Sequence, residues 1–248
     1  MPRPSHLFPL VGLALVLSAG CSKSPEPAAQ QTPPSAAVPI TPAHMADHFA
    51  KVREVEEAVI RGDLDAAKAP AQWIVDHQEV TGPAGTERPL KEMTAAAQSV
   101  ATADNIDNAA IAAAAMLGAC GHCHAAMKVE PKLPALTERT GRSDHARHML
   151  EHQAAIDRMY RGLIVPVSGE WMKGAEALKA APLRDKAFTD ITRETVAAEA
   201  RVHELAERAI SASDQNSRVA IYGTIIGSCA SCHGLHGRVW GPGLPKAD

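Results

Sequence analysis

Gly118-Ala119-Cys120-Gly121-His122-Cys123-His124 and Gly227-Ser228-Cys229-Ala230-Ser231-Cys232-His233 are two copies of one pattern, a C-x-x-C-H with a glycine two positions ahead of it. Together they use four of the chain's five cysteines. The first copy follows the run Ala109 to Ala115, Met116 and Leu117, all helix-compatible and without strand alternation. The motif therefore sits at the end of a helix, and its place in the chain governs the fold expected around it.

In an exported protein, C-x-x-C-H reads as covalent attachment of c-type haem. Two thiols three positions apart reach the two vinyl groups of one porphyrin, and the adjoining histidine presents its imidazole to the iron. Two copies imply two haem c groups, with Cys120, Cys123, Cys229 and Cys232 as thioether sites and His124 and His233 as proximal iron ligands. Two rival readings exist. A redox-active dithiol needs a strand before the pair and a helix N-terminus that lowers the thiol pKa, and no strand is available here. A four-thiolate zinc site would bring the pairs together, but leaves the histidine after each pair unexplained.

Working outward, the chain repeats. His44-Met45-Ala46-Asp47-His48 is matched by His148-Met149-Leu150-Glu151-His152, Gly62-Asp63-Leu64 by Gly169-Glu170-Trp171, and Gly118-Ala119-Cys120 by Gly227-Ser228-Cys229. The order is kept and the offset grows slightly, as small loop insertions would produce; two similar units follow. In the first, Met45, Phe49, Val52, Val55 and Val59 recur at helical spacing and predict an amphipathic helix of about 18 residues. Further helices are expected near 64–77, 90–100 and from Asn105 into Cys120. The second unit predicts helices near 145–163, 169–180, 185–211 and 214–233. The expected architecture is all-α, two tandem four-helix bundles spanning 42–134 and 143–238, each with a c-type haem site on its last helix.

The N-terminus reads as processing signal and anchor. Arg3 and the apolar run Leu7 to Leu17, too short for a permanent span, form a signal peptide over residues 1–20. Leu17-Ser18-Ala19-Gly20-Cys21 resembles a bacterial lipobox, which implies lipid attachment at Cys21 and a Pro-rich tether over 21–41. Ser22 in place of Asp favours the outer membrane. The expected location is the periplasmic side of a bacterial membrane, lipid-anchored.

A net charge of −3 with interspersed signs points away from nucleic acid. Three Phe, two Tyr and three Trp in 248 residues leave a core of alanine and medium aliphatics, with volume that two haems would fill, although alanine-rich helices also pack closely on one another. The small cytochromes c carry the motif near the N-terminus with a long chain after it; here the chain ends at Asp248, soon after His233. A motif on the last of four helices instead resembles the cytochrome c-prime, or class II, family. That resemblance implies a sixth iron ligand from the first helix of each unit, and the candidates are Met45, His48, Met149 and His152. The alternative for these residues is core filling by the methionines and helix capping by the histidines. Glu54, Glu56 and Glu57 read as a solvated helix face, Arg53, Arg61, Arg158 and Arg161 as candidate propionate partners, and His77, His145, His203 and His236 as singletons. The function expected is single-electron transfer between redox partner proteins, with no catalytic side chain. The alternative is a haem enzyme or sensor in which one iron stays open to peroxide, NO or CO.

Overall fold

The computed structural model describes residues 40–77, 82–136, 140–166, 169–181 and 192–235. Cys21, the leader, the tether and His236 lie outside the described residues. Among those described, the secondary structure is entirely helical: α1 (Pro42–Ile60), α2 (Leu64–Asp76), α3 (Glu87–Ala101), α4 (Ile106–Met127), α5 (Asp144–Ile164), α6 (Glu170–Ala180), α7 (Arg193–Ser211) and α8 (Gln215–Leu235). The expected helices are all present in part or whole. α3 starts three residues earlier than its periodicity indicates, and of the long span expected from 185, residues 193–211 are helical while 182–191 fall outside the described residues.

Local chemistry sets the helix starts. Side chains of Thr41, Asp63, Asn105, Ser143, Thr192 and Asp214 accept hydrogen bonds from the backbone N–H three residues on, which satisfies donors a helix leaves unpaired. Each such cap contributes about 1 kcal/mol. Pro42 occupies the first turn of α1, where its missing N–H costs nothing. Gly62 and Gly169, paired by the repeat, take the same left-handed conformation at φ 72° and 73°, each between the first and second helices of its repeat.

Consecutive helices pack within each repeat: α1 on α2, α2 on α3 and α3 on α4, then α5 on α6, α6 on α7 and α7 on α8, with α1 also touching α4 and α5 touching α8. Packing crosses the repeats as well. α4 lies along α8, α4 meets α5, and α1 meets α8, so the described helices belong to one compact body. Contacts along the α4/α8 seam run Asp107 to Gly227, Ile111 and Ala114 to Gly223, and Gly118 to Val219. Positions fall along α8 as they rise along α4, so the two helices are antiparallel. A Cβ on Gly223 would sit 3.0 Å from the Ile111 Cα, which shows how closely the backbones approach. Part of the alanine run is therefore a helix–helix seam, with Ala110 and Ala114 buried beside Gly223. α4 is also long and apolar enough to cross a bilayer, yet half of its apolar window is buried inside this body.

At the centre, Glu56 is only 1% exposed. It does not belong to a solvated face: it falls on the same stripe as Val52, Val55 and Val59, all buried. The Tyr222 hydroxyl donates to it, and Arg53 Nη1 pairs with it at 2.8 Å. Arg53 also donates from both terminal nitrogens to Asp157 Oδ1 at 3.0 Å and lies over the Tyr160 ring. Arg53 is thus engaged in the core, and Arg158 pairs with Glu170 at 2.9 Å. Burial pushes the Glu56 carboxyl up to about 7 against the pull of Arg53 and Tyr222.

Candidate functional site

Both C-x-x-C-H motifs lie in the last turns of their helices, Cys120 to His124 in α4 and Cys229 to His233 in α8. The four cysteines form no disulfide and are partly exposed. Burial pushes the Cys120 and Cys229 thiols up to about 12, and Cys232 is raised as well. A reactive dithiol needs the opposite shift, so these pairs are poor redox nucleophiles. Among the described residues the four sulfurs do not converge on one point, which removes the four-thiolate arrangement.

The motif histidines are held alike. His124 Nδ1 donates to the carbonyl of Ile164 at 2.9 Å, and His233 Nδ1 donates to the carbonyl of Ile60 at 2.6 Å. A carbonyl only accepts, so each Nδ1 carries the proton, and the neutral ring keeps its lone pair on Nε2. A backbone carbonyl behind Nδ1 is the usual partner of a metal-ligating imidazole. Each carbonyl comes from the last residue of the other repeat's first helix: Ile164 ends α5 and Ile60 ends α1. The chain leaves room for these contacts with small residues. A Cβ on Gly121 would collide with the Leu163 carbonyl, and one on Gly62 would lie 3.2 Å from that of Ala230.

The first-helix histidines fall into a second matched set. His48 Nε2 donates to the carbonyl of His77 at 3.1 Å, and His152 Nε2 to that of Ala181 at 3.1 Å. Both thereby cap the C-terminus of the second helix in their own repeat. Met45 and Met149 are partly exposed beside them. In the first repeat the second histidine of the set is the buried one, His48; in the second repeat it is the first, His148.

The two ends are not identical. At the first, His122 Nδ1 meets Glu92 Oε2 at 3.0 Å, and Trp73 stacks on His77 with ring centroids 4.1 Å apart. At the second, Glu199 on α7 faces His148, His152 and His203, and its charge helps to raise both Cys229 and Cys232. Burial alone would raise the Glu199 carboxyl, but the neighbouring imidazoles of His148 and His152 outweigh it and hold the group down at about 2. Shifting α3 by the 109 positions that separate the cysteine pairs matches Ala97 to Ala206 and Val100 to Ala209, all buried, and places Leu90 opposite Glu199 and Thr94 opposite His203. Sequence reading passes over Glu199 and treats His203 as a singleton, although Glu199-x-x-x-His203 shares one helix face.

Comparisons with protein-family models, with curated proteins and with solved structures return no match.

Proposed function

We propose that the chain is a dihaem c-type cytochrome, two class II-like four-helix units on a lipid anchor at Cys21, which passes single electrons between redox partner proteins on the periplasmic side of a bacterial membrane. The observation that carries this reading is the matched placement of His124 and His233, each with Nδ1 donating to a backbone carbonyl, the contact that orients a metal-ligating imidazole. Haem c, when bound, supplies reversible Fe(II)/Fe(III) chemistry. The protein's own part is to attach and tune it. Cys120, Cys123, Cys229 and Cys232 would hold it as thioethers, each thiol supplying the sulfur and the proton that add across a vinyl group, so that no oxidant would be needed. Burial raises the Cys120, Cys229 and Cys232 thiols, which disfavours their thiolates and so disulfide exchange. His124 and His233 would supply the proximal imidazoles, and the carbonyl behind each ring would raise its basicity. Met45, His48, Met149 and His152 remain the candidates for the sixth position.

The optical spectrum of the protein reduced in the presence and absence of CO tests the electron-transfer role. Two low-spin haems indifferent to CO support it. A CO shift in half of the haem would point instead to an open iron site and to ligand binding or peroxide chemistry.

A further inference from the structure

The end of the second repeat gathers ligands that the first lacks. His148 and His152 lie one helical turn apart on α5, and Glu199 and His203 one turn apart on α7. These helices do not pack on each other, so the four side chains reach across the interior of their unit, where helical bundles build metal sites. The Nε2 atoms of His148, His152 and His203 lie 3.5, 3.5 and 3.4 Å from Glu199 Oε1. These separations are longer than good N–H···O hydrogen bonds, which fall at about 2.7–3.2 Å. They match the edge of about 3.4 Å between ligand atoms around a tetrahedral ion with bonds of about 2.0–2.1 Å. The ligand atoms of His148, His152 and Glu199 all lie within 4.8 Å of one another, and His148 is 1% exposed at its side chain and Glu199 13%.

We propose that His148, His152 and Glu199 form a mononuclear site for a divalent transition-metal ion that favours imidazole, such as Zn²⁺, with His203 beside Glu199 at its edge. Two imidazoles and one carboxylate suit such an ion in donor type, and three protein ligands leave a position for water. The Nε2 atom of His152 also lies 3.1 Å from the Ala181 carbonyl, so a proton stands where the metal would bind and must leave on uptake. The site takes no ligand from the cysteines, although the charge of Glu199 acts on Cys229 and Cys232, and it does not depend on the haem reading. It does engage His152, which leaves Met149 as the candidate of that pair for haem iron.

The test uses the full chain, stripped with a chelator and dialysed against Zn²⁺ alone, with zinc and iron counted per chain in the same samples and the fold checked by circular dichroism. The wild type and the first-repeat variant His44→Gln/His48→Gln should each hold one zinc. Glu199→Gln/His203→Gln, which alters a ligand and its neighbour, should bind it at least about 100-fold more weakly, and His203→Gln, which alters only the neighbour that orients Glu199, about 10-fold, in keeping with losses typical of perturbed metal sites. A wild type that takes up no zinc overturns the proposal, as does undiminished binding in both Glu199→Gln/His203→Gln and His203→Gln. Iron content reports the haem reading separately.

Discussion

His124 is held by Ile164, and its counterpart His233 by Ile60, so each repeat supplies the carbonyl that fixes the motif histidine of the other. The two motifs are separated by 109 positions and the two isoleucines by 104, which makes this one contact made twice about an approximate two-fold axis. Such an isologous arrangement is that of a symmetric dimer, here within a single chain. Neither motif is complete within its own repeat.

Gly121→Ala should damage the first motif. The added Cβ would meet the Leu163 carbonyl and, at 2.6 Å, Gln215 Nε2, and backbone cannot rotate away as a side chain can. A loss of about 1–3 kcal/mol in urea denaturation is expected, as for other overpacked sites. Gly234→Ala, with nothing within 4 Å of its Cβ, should stay within about 0.5 kcal/mol of the wild type.

The buried Glu56 should make stability fall as pH rises. Its folded pKa of about 7 lies above the ordinary 4.5, so the native state binds more protons between those values, and stability declines across pH 4.5 to 7. The contribution is on the order of 2 kcal/mol. Glu56→Gln should flatten the profile in that window, read by denaturant melts at several pH values. An unchanged slope would show that the carboxylate is not held protonated.

Arg53 and Asp157 occupy equivalent positions, 104 apart, and meet each other. Identical residues at such a contact would put like charge on like; here the two positions differ and the pair is complementary. A double-mutant cycle with Arg53→Met and Asp157→Asn should give a favourable coupling of about 1 kcal/mol, because both groups are mostly shielded from water.

His48→Ala removes the donor to the His77 carbonyl and should cost about 1 kcal/mol of stability. The same substitution separates roles: a change in the spin state of the reduced haem would mark His48 as an iron ligand as well as a cap, whereas a change on Met45→Leu alone would assign that role to Met45.

Much of the helical order is legible in the sequence because it is local. Gly62 and Gly169 mark matched turns, and apolar spacing gives the helices and their buried faces. The contacts across repeats are not local. Repetition shows that His124 corresponds to His233, but not that each reaches into the opposite copy, since that depends on the Gly and Ala seam between α4 and α8. Glu56 is misread because its charge outweighs its place on the apolar stripe. Glu199 is hidden for another reason: its counterpart is Leu90, so a search for what the repeats share passes over the residue that makes the second end different.

The most direct test of the account is the intact mass of the protein matured in a periplasm, compared with Cys120→Ala/Cys123→Ala and Cys229→Ala/Cys232→Ala. The account predicts two covalently held haems on the wild type and one on each variant. A wild-type mass equal to that of the processed chain and its lipid, with no haem absorbance, would contradict it.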